Sequence, residues 1–362
     1  MSNQIERMKI SVVIVSYNAR YYLEQCLHSV EAALTNLAGE IIVVDNDSPE
    51  KPLDFIREKF PNVQFIHSKE NLGFAKANNL GVEKAKGEYV LILNPDMMIP
   101  ENLFDKILPF AEAHTEMGAL GIRLIDANGN FHPESKRNIP TLQNTFGKLF
   151  GTLIDKKNSK GYYKSDVGEF ETAPAEVLVG AFMLIRRDVY VEVGGFDPRY
   201  FMYGEDIDLS YTLELNGYKN YYFGEISAIH YKGESTRKDG KYLKIFFGAM
   251  EIFISKYFKH NLLKYLIFKI GLKLRYFWAL VNGAFKPEDK RKRVVETAVV
   301  PEKIQSVSEI KENSAQILLD GNIFTNSEIL AFISNYSKPG RQFYIHPKQM
   351  NVIIGDAGIL EI

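Results

Sequence analysis

Short apolar runs in the first hundred residues each stop at a polar cluster, and this alternation is what most narrows the possible folds. Ile10 to Val15 ends at Ser16-Tyr17-Asn18 and is followed by a helical pattern from Arg20 to Ala33. Glu40 to Val44 ends at Asp45-Asn46-Asp47-Ser48, with Pro52 opening a helix. Val63 to His67 leads through Asn71-Leu72-Gly73-Phe74 into a helix reaching about Lys86. Tyr89 to Leu93 stops at Asn94-Pro95-Asp96, because Pro95 has no N–H to give a sheet ladder. Strands separated by helices need crossover connections, which are right-handed. The expectation is an α/β fold with a mostly parallel sheet and helices on both faces. Parallel strands aim their carboxyl ends the same way, so the clusters share one rim, where such sheets bind ligands.

The chemistry of those clusters is specific. Asn18, Asp45 and Asp47 offer the mixed donors and acceptors that a base and ribose require. Lys76, Asn78 and Asn79 follow Gly73 near a helix N-terminus, where the dipole favours phosphate oxygens; for Lys76 a solvated helix face is the plainer alternative. Asp96 stands at the ligand edge, although Asn-Pro-Asp alone reads equally well as a surface turn. Farther on, Glu205, Asp206 and Asp208 crowd carboxylates that repel one another unless a cation or a reaction uses them. A helix expected from Ile207 to Asn216, closed by Gly217, gives Asp208 a structural reason to be there through the dipole. That leaves Glu205 and Asp206 as general-base candidates. Asp197, in Gly-Gly-Phe-Asp-Pro, is a turn residue and a weaker acceptor-site candidate. His230 follows the apolar-leaning Phe223 to Ile229; a lone His after a strand is more often structural than functional.

Bulk composition removes other classes. The chain has 362 residues, 46% apolar, enough for two ordinary domains with a sizeable core. A formal charge of −1 gives no nucleic-acid footprint overall. The single cysteine, Cys26, excludes an intramolecular disulfide framework and a Cys-rich zinc site, and suits a reducing cytoplasm. It shares a helix face with Tyr22, Leu23, Leu27 and Val30, as buried filler rather than a nucleophile. Met1 to Lys9 is polar and lacks the apolar stretch of a signal peptide.

Three regions are expected. Residues 1–240 form the catalytic domain. Residues 241–293 are rich in Lys and Arg among Tyr, Phe, Leu and Ile; with no charge-free stretch of about twenty residues they do not span a bilayer. Tyr257 to Trp278 reads as helices lying in a membrane interface, and Lys286 to Arg293 as a basic run drawn to anionic lipid. The alternative is a helical extension packed on the catalytic domain. Residues 294–362 begin as a linker to Ser314. A strand at Gln316 to Asp320, a capping box at Thr325-Asn-Ser-Glu328 and, after a turn at Pro339-Gly340, two further short strands then make a small α/β appendage. It is too small to stand alone and is suited to interaction or homo-oligomer formation.

The ordered set Val-Ser-Tyr-Asn, Val-Val-Asp-Asn, Asn-Leu-Gly-Phe-Ala-Lys-Ala-Asn-Asn, Leu-Asn-Pro-Asp, Gly-Ala-Phe, Gly-Gly-Phe-Asp and Tyr-Gly-Glu-Asp-Ile-Asp-Leu resembles the family 2 inverting glycosyltransferases, especially rhamnosyltransferase-like members. The resemblance covers roughly residues 8 to 235. It implies a GT-A fold, a nucleoside-diphosphate-sugar donor (dTDP-rhamnose, with a UDP-sugar as alternative) and Mg2+ or Mn2+. The acceptor it implies is a lipid-linked glycan of cell-surface polysaccharide such as O-antigen or capsule, met at the inner membrane from the cytoplasm. Ser16, Tyr17, Asn18, Asp45, Asp47, Lys76, Asn79, Asn94 and Asp96 then bind the donor. Asn94-Pro95-Asp96 takes the place of the family's Asp-x-Asp motif, with Asn replacing the first acid, Asp96 as metal ligand and His230 as its partner near the diphosphate. Glu205-Asp206 matches the pair that supplies the base, Asp206 favoured, with Asp197 and Glu205 on the acceptor side. A sugar-nucleotide pyrophosphorylase is a rival, but it needs a Gly-rich loop after the first strand. A non-catalytic, membrane-docked assembly protein is another, and the retained acids argue against it.

Overall fold

A computed structural model describes residues 8–139, 161–231, 240–281, 302–304, 314–356 and 358–361. Strand β1 (Ile10–Ser16) lies between β2 (Gly39–Asp45) and β4 (Tyr89–Leu93), parallel to both, and β3 (Gln64–His67) extends the sheet beyond β2. Beyond β4 the sheet turns mixed. The edge strand β5 (Met97–Met98) comes next in the chain, then β6 (Met117–Ile125). Short strands β7 (Lys136–Arg137), β8 (Ala173–Pro174) and β9 (Val177–Leu178) precede β10 (Phe182–Arg186) and the long β11 (Lys219–His230). β10 runs antiparallel between β4 and β6, β11 parallels β6, and β5 closes the far edge on β11.

Period-two alternation sends the side chains of β1 to both faces. Ile10, Val12 and Ile14 pack with Leu23, Leu27 and Val30 of the helix Arg20–Ala33. Val13, with Ile42, Val90 and Ile92, packs on the other face with Val82, Leu209 and Leu213. Each fully buried side chain of this kind contributes roughly 1.5–3 kcal/mol. The fold is the α/β type expected, with helices packed on both faces of the sheet.

Some boundaries differ from expectation. The acidic helix starts at Glu205, not Ile207, and runs Glu205–Leu215, because Gly204 takes φ +80° and turns the chain into it. The second crossover holds only a short helix, Leu53–Ile56. Part of the expected linker is a strand, β12 (Glu302–Ile304), which pairs with the appendage.

Helices Gly240–Phe258 and Leu262–Val281 follow the central sheet and pack on each other through Ile254, Phe268 and Leu272. The first of them is fastened to the acidic helix: Lys256 Nζ lies 2.7 Å from Asp208, and Tyr257 donates to the same carboxylate at 2.8 Å. Asp208 therefore has the structural role its position suggested. Among the described residues no helix is long and apolar enough to cross a membrane.

The appendage contains β13 (Gln316–Asp320), the helix Asn326–Tyr336, β14 (Gln342–His346), β15 (Val352–Gly355) and β16 (Gly358–Glu361), one strand more than expected after the turn. Thr325 and Glu328 form both bonds of the capping box. Ile317, Leu319, Ile329, Ile333 and Phe343 share one apolar cluster with Tyr22, Met98, Ile125, Ile229 and Tyr231 of the N-terminal α/β region. Glu101 accepts the N–H groups of Asn326 and Ser327 at 2.7 and 2.8 Å, and Asp356 accepts that of Ala127 at 2.9 Å. A module too small for a core of its own is thus stabilised by docking.

Candidate functional site

The rim begins where β1, β2 and β3 end in register, so that Ser16, Asp45 and His67 stand in a row. His67 Nδ1 lies 2.9 Å from Asp45 Oδ2, while Asp45 Oδ1 and Ser16 Oγ are buried with no protein partner. A buried acceptor without a donor costs stability unless a ligand supplies one. Asn46, which sequence reasoning passed over, ties this row to the next loop. Its N–H donates to Ser16 O at 2.9 Å, and its side chain accepts from Leu72 N at 2.8 Å and donates to Asn71 and to Gly73 O. Tyr17 and Asn18 are half-buried beside the row, with Asn18 Oδ1 accepting from Glu50 N, and Asp47 is exposed at φ +62°.

Other expected donor residues take different places. Lys76 is exposed on the helix Gly73–Lys84. Asn79 does not face the rim. Its Nδ2 donates to Phe196 O at 2.7 Å, and its Oδ1 accepts from Tyr190 Oη and Phe196 N at 2.6 and 3.1 Å, so it holds the Gly194-Gly195 turn. Asn78 is buried and donates to Phe74 O. Asp197 is clamped by Arg199 at 2.5 Å and Lys256 at 3.1 Å, and these cations hold its carboxyl well below the usual range.

At the end of β4 the chain doubles back into β5, and Met97 pairs with His230 of β11. That pairing brings His230 Nε2 to 3.4 Å from both Asp96 Oδ1 and Asn94 Nδ2. His132 Nε2 in turn lies 3.0 Å from the His230 carbonyl oxygen. Burial alone pushes the Asp96 carboxyl up, but the His230 and His132 imidazoles outweigh it and leave it below its ordinary value. Cys26, whose Sγ lies 3.6 Å from Asn94 O, is fully buried, and burial pushes its thiol up, as expected of filler. Among the described residues no three His, Cys, Asp or Glu converge on one point. Asp96 and His230 therefore fit a hard divalent cation that completes its shell with ligand and water oxygens, not one caged by protein.

The second acidic pair meets the same rim through β10. Asn94 N donates to Ala181 O at 2.9 Å, and the adjacent Gly180 N donates to Asp206 Oδ2 at 3.2 Å. A Cβ on Gly180 would lie 3.2 Å from Asp206 Cβ, so glycine allows this approach. Asp206 also forms an ion pair with Arg137 at 2.6 Å. The β7–β9 pairing positions that guanidinium, which donates to Leu178 O as well. Glu205 is buried with Oε2 unpartnered; burial first, then the charge of Asp206, pushes its carboxyl up to about 8. Two neighbouring acids thus have opposite environments, one whose charged form burial disfavours and one engaged with a cation. Arg137 and His132 carried no signal in the sequence, since neither belongs to a periodic run or a motif.

Comparison with known proteins bears on this arrangement. The Glycosyl transferase family 2 model matches residues 11–194. The chain is 28% identical over 241 residues to an N-acetylglucosaminyl-diphospho-decaprenol L-rhamnosyltransferase of Mycobacterium tuberculosis, covering 64% of this chain and 78% of that protein. It is 28% identical over 236 residues to the Escherichia coli rhamnosyltransferase WbbL, covering 63% and 85%. Among solved structures it is similar to S. aureus TarS 1-349, with a TM-score of 0.46 and 20% identity, covering 68% of this chain and 64% of that one, under two thirds of its length.

Proposed function

The chain belongs to glycosyl transferase family 2, and from that premise we propose that it moves a sugar, with inversion, from a nucleoside diphosphate to a hydroxyl of a lipid-linked glycan during cell-surface glycan synthesis. Rhamnose from dTDP-rhamnose is the donor sugar we favour, because the Mycobacterium tuberculosis and Escherichia coli relatives are both named as rhamnosyltransferases. The observation that carries the reading is the divided environment of Glu205 and Asp206, with Asp206 linked through Gly180 and Ala181 to Asn94, two residues before Asp96.

In this mechanism Ser16 Oγ and Asp45 Oδ1 receive hydrogen bonds from the nucleoside. Asp206 takes the proton from the acceptor hydroxyl, with Arg137 fixing its orientation. The acceptor oxygen forms its bond to the anomeric carbon from the face opposite the leaving group as the bond to the diphosphate oxygen breaks, so no covalent enzyme intermediate arises. Glu205 stays neutral beneath Asp206 and keeps a second charge out of the site. Asp96 and His230 would hold Mg2+ or Mn2+, which when bound neutralises diphosphate charge.

The test is transfer from dTDP-rhamnose, UDP-sugars and GDP-mannose to a polyprenyl-diphospho-N-acetylglucosamine, with Mg2+, Mn2+ or chelator. Rhamnosyl product of inverted configuration is expected. Transfer only from another donor refutes the rhamnose assignment. Transfer undiminished in both Asp96→Ala and Asp206→Asn refutes the residue roles.

A further inference from the structure

The helix Leu262–Val281 turns one face to its neighbour and leaves the other uncovered. Phe268 and Leu272 are buried against Gly240–Phe258. On the opposite face Leu263 (70% exposed), Leu266, Ile267, Ile270, Leu274 and Phe277 (67% exposed) stand in water. At 100° per residue these six fall within a sector of about 100°, centred on Leu263 and Ile270. Lys264 and Arg275 border the sector on one side and Lys273 on the other, while Lys269 lies farther round and pairs with Glu251 of the neighbouring helix at 3.1 Å. The helix contains no acidic residue, and Arg275 stacks on Trp278 at its edge with 4.3 Å to the ring.

We propose that this face lies in the interfacial plane of an anionic bilayer. A continuous apolar stripe of this size is unusual on a monomer surface. Cations on both borders, with no acid in the helix, match lipid phosphates on either side of a helix lying flat, their stems reaching up to the headgroups. Such a distribution does not suit a second copy of the same helix, whose borders would set cation against cation. The helix does not meet the length and apolarity needed to span. Its neighbour Gly240–Phe258 joins the bilayer helix to the acidic helix: Lys256 and Tyr257 bind Asp208, and Ala249 lies 3.5 Å from where a Cβ on Gly204 would be. The base is therefore carried by the element one helix layer from the membrane, the side from which a lipid-linked acceptor arrives. That last step rests on the proposed function; the docking itself does not.

The experiment is flotation of the full chain with phosphatidylglycerol-containing or pure phosphatidylcholine vesicles. It compares wild type with Ile270→Ser/Leu274→Ser/Phe277→Ser and with Lys264→Glu/Lys273→Glu. Wild type is expected to float with the anionic vesicles only, and each variant to lose more than about tenfold in partitioning. Thermal melts and transfer to a short-chain, water-soluble acceptor should be unchanged in both variants. Wild type that ignores anionic vesicles overturns the proposal, as does a serine variant that floats equally well. A wild-type dimer by analytical ultracentrifugation that the serine substitutions dissociate assigns the face to a second copy and also overturns it. If the soluble acceptor is never glycosylated by wild type while flotation behaves as expected, the docking stands and the proposed function fails.

Discussion

Replacing Glu205 with Gln asks which of two adjacent carboxyls holds a proton at neutral pH. Burial and the Asp206 charge move the Glu205 midpoint from 4.5 to about 8. The native state therefore keeps a proton that the unfolded chain has already released over that interval. Stability is fully present below the unfolded midpoint and is lost as pH rises through the folded one. At about 1.4 kcal/mol per tenfold, the loss from pH 4.5 to 8 is on the order of 4 kcal/mol. Gln keeps the size and neutrality of the protonated acid and has no proton to lose. The variant should melt near wild type at pH 5 and increasingly above it from pH 6 to 8.5, followed by thermal or urea unfolding across the range. Sugar transfer at pH 7 should fall by less than about tenfold, against about 10²–10⁴ for Asp206→Asn. A melting difference that does not vary with pH refutes the neutral Glu205. Loss of transfer in Glu205→Gln with retention in Asp206→Asn exchanges the two roles.

Lys256→Met leaves Asp208, 1% exposed, with only tyrosine donors, and should cost about 3 kcal/mol in urea unfolding. Much of that should return in the double variant with Asp208→Asn, where no charge is left buried. Gly73→Ala puts a Cβ 2.3 Å from Phe201 O at φ +77°, so the loop that Asn46 organises must move; dTDP affinity by calorimetry should fall more than about tenfold. Glu101→Ala removes the acceptor for the Asn326 and Ser327 N–H groups, costing about 1–2 kcal/mol, and should make the appendage the first site of limited proteolysis while the Thr325–Glu328 capping box stays intact.

What was legible in the sequence was local or periodic. The strands of the first half, the shared rim and the capping box at Thr325 each follow from neighbouring residues. The antiparallel insertion of β10 was not legible, because an apolar run such as Phe182 to Ile185 carries no sign of its direction. Asn79 shows the limit within one side chain: an Asn inside a helix needs a partner, but the partner is the turn at Phe196, more than a hundred residues away, not a phosphate. β12 is a strand because β13 offers it an edge; its own sequence is too short to declare one. Arg137 reaches Asp206 only through the β7–β9 pairing, which no motif announces.

The docking of the appendage has a consequence for how the molecule is made. Once synthesis has passed Tyr231, every residue assigned to the site exists, yet Met98, Ile229 and Tyr231, which flank Asp96 and His230, still lack the surface that covers them. The bonds from Glu101 to Asn326 and from Asp356 to Asn128 close over separations of 225 and 228 residues. Contacts of such span form late and slowly. The nascent enzyme thus carries an open apolar seam behind the rim of Asp96 and His230, a target for chaperones and for aggregation, until the appendage strands are laid on it.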